Sequence, residues 1–284
     1  MKMKIYKGLD FLLYSNIFIS ICAAAITAET YLLIRSEINW LYISFVFFST
    51  LVLYDFSNLF LGKVAFSVNQ SLRHKWIIAN KNALMILSMI SIIMIAIVAS
   101  SFKLKFILLF IPIVVLAFSY FFPQTRLRSI TGVKDTIVAF VWTMTTSGYP
   151  LLLASMSTVK SGDLFTKENG LFIIERFLFI LPIGAIFNVR DIETDRNSGV
   201  RTIPVVYGVR ATVITCLILL LLFSILVFFN SRFSLETIAL IASAIVTGIL
   251  TIKSSPDKND YFYFLWIDGI VLLQVGFVFF QDLF

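Results

Sequence analysis

The chain has 284 residues, 59% of them hydrophobic and 14% charged, with a mean hydropathy of +0.95. Soluble domains carry about 25% charged residues, so this composition excludes a soluble fold and indicates a protein built inside a bilayer. The formal net charge of +7 calls for no nucleic acid, because a basic face toward anionic lipid accounts for it and can also gather an anionic substrate.

A helix needs about 20 apolar residues to cross a membrane. Nine such segments can be drawn, at 11–34, 38–61, 83–101, 104–122, 134–155, 171–188, 209–230, 235–252 and 260–281. Leu, Ile, Phe and Val fill them without strand-like alternation, which favours helices over a barrel. Counts of eight and ten also fit the soft boundaries, and nine is the favoured expectation. The first segment follows a basic start and contains "CAAA" at Cys22 to Ala25, a loose match to a signal-peptide cleavage site. Its apolar run continues to Ile34, so a retained helix is expected. Cys22 and Cys216 lie in separate apolar segments and His74 is the single histidine. Neither a disulfide framework nor a zinc site is indicated.

Lys and Arg set the orientation. With Met1 inside, the inner segments hold Lys2, Lys4, Lys7, Lys63, Arg73, Lys75, Lys81, Arg126, Arg128, Lys134, Arg190, Arg196, Arg201, Arg210, Lys253 and Lys258, which is 16 of the 23 basic residues. The expected topology is therefore N-terminus cytoplasmic, C-terminus outside. No Gly/Ser-rich or Pro-rich linker divides the sequence, so 1–284 reads as a single membrane-embedded domain.

Two inner connections are long and chemically rich. The first, Ser57 to Asn82, follows the second segment, whose cytoplasmic end carries Asp55. The second is "NVRDIETDRNSGVRTIPVVYG", Asn188 to Gly208, after the sixth segment. If the sixth helix continues past Asn188, Asp191 and Asp195 stand one turn apart on a single face, with Glu193 pointing elsewhere. Such a like-charge pair weakens a helix. A divalent cation removes the penalty, and Mg²⁺ is typically held by one or two carboxylates plus substrate phosphates. Arg190, Arg196 and Arg201 can then contact the remaining phosphate charge, and Asn188 offers an oxygen ligand or a hydrogen bond. The competing reading is a solvated loop whose acids pair with its own arginines.

The ordered run N-x-x-D-x-x-x-D-x-x-x-G-x-R-T-x-P from Asn188 to Pro204 closely resembles the second aspartate-rich motif of the UbiA family of intramembrane prenyltransferases. The layout of the whole chain is similar as well. The resemblance implies an all-α polytopic membrane protein, with about nine transmembrane helices around a central lipid-open cavity. It also implies Mg²⁺ as cofactor and a polyprenyl diphosphate as donor. The prenyl group would pass to a lipophilic acceptor, an aromatic or quinone precursor, in the cytoplasmic (inner) membrane of a bacterium. Asp191, Asp195 and Asp55 would be the catalytic, metal-binding acids. The family's first motif usually reads N-D-x-x-D-x-x-x-D; here "YDFSNLFLG" keeps Asp55, with Asn58 and Gly62 at the other two acid positions. Asn58 and the loop's Asn69, Arg73, His74 and Lys75 are available for phosphate. The stretch from Ser119 to Asp135 is similar to the family's tyrosine-plus-basic loop, making Tyr120, Arg126, Arg128 and Lys134 candidates for diphosphate contact.

An acid inside a transmembrane segment is a functional candidate by default. Asp55, near a helix end, either serves the site or snorkels to water; Asp268 in "FLWIDGIVLLQ" either faces the cavity or pairs with a base. "WTMTTSGYP", Trp142 to Pro150, is a polar-aromatic patch that either meets the acceptor or packs helices. The runner-up function is a prenyl-lipid or quinone binder without turnover, its first motif having decayed. A transporter is the third reading, and no paired helix interruptions support it.

Overall fold

The computed structural model describes residues 7–61, 72–119, 130–157, 166–231 and 234–281. All regular structure among the described residues is helical, with no strand. The chain divides into two compact units, Met1–Ala24 with Trp40–Leu109, and Ala25–Asn39 with Phe110–Phe284.

Within the first unit, α1 (Lys7–Tyr14) meets the start of α2 (Ile17–Leu33) at a 59° bend. The first expected span is thus two helices rather than one. The break falls at Asn16, which has a φ of +61°, a left-handed conformation that Asn adopts more readily than most residues. Next come α3 (Trp40–Phe56), a π-helical turn at Ser57–Leu61, α4 (Leu72–Ala79), α5 (Lys81–Ala99) and the start of α6 (Leu104–Ser119). Tyr42, fully buried, takes Phe102 and Phe106 edge-on. Trp76 of α4 does the same to Phe11 and Tyr14 of α1.

In the second unit, α7 (Val133–Thr143) passes through a π-helical turn at Met144–Gly148 into α8 (Tyr149–Ser157). Then follow α9 (Lys167–Arg190), the short α10 (Ile192–Asn197), α11 (Ile203–Ser231), α12 (Leu235–Lys253), a π-helical turn at Phe262–Ile267 and α13 (Gly269–Gln281). The hydroxyl of Thr166 caps α9 by accepting from the Asn169 amide at 3.1 Å, and Ser234 caps α12 through Thr237 at 3.2 Å. Such caps satisfy amides that a helix start leaves unpaired. Phe179, Ile183 and Ile186 give α9 a buried face with helical spacing, and α9 packs against α7 and α11.

A charged cluster is also buried in this unit. Arg176 lies 2.7 Å from Glu29, and Gln274 donates to Glu29 at 3.0 Å. Both ions are almost fully buried. Cys22 and Cys216, the only cysteines, have no exposed surface.

Among the described residues seven helices are long and apolar enough to cross a membrane: Trp40–Leu59, Lys81–Ala99, Val133–Met156, Lys167–Arg190, Ile203–Asn230, Leu235–Lys253 and Phe262–Phe280. The bent pair makes eight if it counts as one span, and Leu104–Phe118 is apolar but shorter. Side chains such as Ile86, Ile93, Leu221 and Ile252 stay largely exposed on these helices, as hydrocarbon-facing residues do. The chain is an integral membrane protein.

Candidate functional site

The charged passage is shaped by breaks in an otherwise continuous helical path. α9 runs to Arg190. Asp191 then leaves helical geometry, with φ −91° and ψ 9°, before α10 resumes. The Asp195 amide still donates to the Asp191 carbonyl at 2.8 Å, so one-turn spacing survives the break. Just past the end of α10 and its cap Ser198 stands Gly199, whose φ is +70°. There the Val200 amide reaches the Asp195 carbonyl at 2.8 Å and the Gly199 amide reaches Arg196 at 3.2 Å. This pair of bonds is the Schellman closure of a helix, and it explains the glycine of the motif. A side chain in that conformation costs roughly 1–2 kcal/mol.

The two acids meet different cations. Asp191 receives a two-pronged contact from Arg190, Nε to Oδ1 at 2.7 Å and Nη2 to Oδ2 at 2.9 Å. That guanidinium sits against three aromatic rings, 4.6 Å from Phe264, 5.3 Å from Phe187 and 5.8 Å from Tyr263, and Asp260 and Asp268 add negative charge around it. The loop reading's own pairing, acid with local arginine, therefore holds for Asp191. Asp195 is buried and takes Lys134 Nζ, from α7, at 3.3 and 3.5 Å. Burial pushes its carboxyl above the ordinary range; the charges of Asp191 and Asp135 add to the rise and Lys134 opposes it.

Asp135 is the acid that spacing alone did not mark. It is 4% exposed, accepts from Asn188 Nδ2 at 2.7 Å through Oδ1, and leaves buried Oδ2 without a hydrogen bond. Asp195 thus feels the charge of both other carboxylates, and one Asp135 oxygen is left unsatisfied. Among the described residues no three ligating side chains already converge on a metal position. The donors are nonetheless of the right kind. Hard oxygens from a few carboxylates, completed by phosphate, suit Mg²⁺, and the unsatisfied Asp135 oxygen is where such a charge is wanted. Asp135, Asp191 and Asp195 supply carboxylates of the kind that ion takes, and Asn188 holds Asp135 through its amide.

Glu193, Arg196 and Arg201 are exposed. Asp268 is buried. Asp55, in the first unit, is fully buried and does not reach water. Asn16 donates to its Oδ1 at 2.7 Å and Ser88 to its Oδ2 at 3.0 Å. Asn58 accepts from Arg73 Nη2 at 3.1 Å. Tyr120, Arg126 and Arg128 lie outside the described residues. The Trp142–Pro150 patch points inward. Thr143, Thr146 and Ser147 are buried, Ser147 bonds Thr30 at 3.1 Å, and Tyr149 stacks on Phe110 with centroids 4.0 Å apart.

Comparison with known proteins bears on the fold. A UbiA homolog from Archaeoglobus fulgidus, solved bound to GPP and Mg²⁺, superposes with a TM-score of 0.68 at 12% identity, over 95% of this chain and 98% of that one. The apo structure of a UbiA homolog from Aeropyrum pernix K1 gives 0.62 at 12% identity, over 99% and 100%. A structure described for digeranylgeranylglyceryl phosphate synthase gives 0.53 at 14% identity, over 97% of each chain. A search of curated proteins finds no significant match. The sequence model of the UbiA prenyltransferase family matches residues 75–267, well over half of the chain and inclusive of the whole charged passage. The chain belongs to the UbiA prenyltransferase family.

Proposed function

We propose that residues 1–284 act as one membrane-embedded domain transferring a prenyl group from a polyprenyl diphosphate to a lipophilic acceptor, an aromatic or quinone precursor, with Mg²⁺. The observation that carries this is the set of Asp135, Asp191 and Asp195, each held by a nitrogen donor from which a phosphate oxygen can also accept. That the Archaeoglobus fulgidus homolog was solved with GPP and Mg²⁺ supports the choice of ligands. When bound, the ion supplies charge neutralisation on the departing diphosphate. Asp191 and Asp195 would hold it, with Asp135 joining through its unsatisfied oxygen. Arg190 and Lys134, released from the carboxylates, would turn to diphosphate oxygens, Arg190 keeping its aromatic backing. Arg196 and Arg201 would meet incoming diphosphate at the exposed rim. Asn188 orients Asp135. Asn58, Tyr120, Arg126 and Arg128 are the further candidates for phosphate contact. The Lys and Arg count supports a cytoplasmic placement of this charged face, in our reading at the inner membrane of a bacterium.

The test is prenyl transfer by purified protein in liposomes, with labelled prenyl diphosphates, an acceptor panel, and either Mg²⁺ or EDTA. Expected is a metal-dependent product that falls about 100-fold or more in Asp195→Asn and Asp191→Asn, the scale of losing a group that stabilises transition-state charge. Full activity in EDTA or in both variants would sink the reading. Asn58 and Gly62, standing where the family carries acids, favour a second reading, a prenyl-lipid binder without turnover. It predicts lipid retained through purification and no product on any acceptor.

A further inference from the structure

We propose that Asp55 is a positioning residue that clamps the bend of the N-terminal helix pair, and that it takes no metal ion. Both of its oxygens are engaged by neutral donors. Asn16 reaches Oδ1 at 2.7 Å and Ser88 reaches Oδ2 at 3.0 Å. Asn16 is no ordinary partner, because it forms the break itself. Its φ of +61° ends α1, its carbonyl accepts the Ser20 amide that restarts the helix at 3.1 Å, and the Ser20 hydroxyl caps the same carbonyl at 2.8 Å. The side chain at that break is 2% exposed, so its amide must find a buried acceptor or remain unsatisfied. Asp55, 39 positions along the chain and fully buried, is that acceptor. Ser88 ties the same carboxylate to α5.

The rest of the degraded motif points the same way. Asn58 replaces a carboxylate with an amide whose oxygen is already held by Arg73 at 3.1 Å. Gly62 brings no donor atom. A metal at this place would have Asp55 as its sole charged ligand from the motif, and that acid would have to release Asn16 and Ser88. In this chain, divalent-ion binding therefore belongs to Asp135, Asp191 and Asp195. That half of the inference rests on the function proposed above; the clamp does not.

The experiment has two arms. Mn²⁺ binding to detergent-solubilised protein, with inorganic pyrophosphate present, is followed by electron paramagnetic resonance. Asp55→Asn should keep wild-type affinity within about twofold, whereas Asp195→Asn should weaken it at least tenfold. Weakened binding in Asp55→Asn overturns the proposal, whatever its melting point. In the second arm, melting midpoints are measured for Asn16→Ala, Asp55→Ala and the double variant. Each single change should lower the midpoint by several degrees, and the double variant should fall little further than the worse single. Additive losses overturn the clamp. Absence of Mn²⁺ from wild type would count against the metal reading, while the melting arm still decides the role of Asp55.

Discussion

Arg190 and Asp191 are neighbours in sequence, and on an unbroken helix neighbours do not face one another. The turn at Asp191 makes their two-pronged contact possible. This explains why the spacing of Asp191 and Asp195 was readable while their partners were not: the pairing depends on a local departure from helical geometry that no periodicity encodes. Asp135 escaped for another reason. An acid in the first turn of a helix is the ordinary complement to the helix dipole, and nothing in "GVKDTIV" marks it as one that Asn188 will seek out. The guanidinium fork predicts the behaviour of a conservative change. Arg190→Lys keeps the charge but loses the planar contact and the stacking on Phe264. Losing one charge-assisted hydrogen bond costs about 1.5 kcal/mol, or roughly tenfold. Steady-state kinetics should show it as a rise in KM for the prenyl diphosphate, with kcat changed less.

Helices were drawn nearly where they stand wherever a polar residue marks an end. Thr166 and Ser234 cap the helices whose apolar runs were drawn from 171 and 235, and Gly208, with a φ of +84°, marks the start of the apolar run predicted at 209. The break at Asn16 was not readable, since the buried acceptor of its side chain, Asp55, comes 39 positions later. Glu29 is a related case. It sits in an apolar run as a single acid, and its cation comes from α9, 147 positions later by the numbering of the ion pair. Desolvation makes such a pair costly to leave half-made. Glu29→Gln should destabilise the protein by about 3–5 kcal/mol, whereas Glu29→Gln combined with Arg176→Met should recover much of that loss. Thermal melting in detergent compares the two.

For the chain as a whole, the membrane class and helical architecture were plain from composition, because no soluble core accommodates so little charge. The number of crossings was less plain: one apolar run folds as a bent pair and another as a shorter helix, and segment length alone does not separate these from straight spans. The basic-residue count still makes a definite topological claim. A cysteine placed at exposed Ser198, in the charged passage, should react with an impermeant maleimide only after the cell membrane is opened; labelling of intact cells would reverse the orientation. The natural chain is already suited to that measurement. Cys22 and Cys216 are sealed from solvent, so a polar thiol reagent leaves the wild-type protein dark. Each engineered cysteine then becomes the sole reporter of its own surroundings, and spin-label or fluorophore pairs can be installed without first stripping the native thiols.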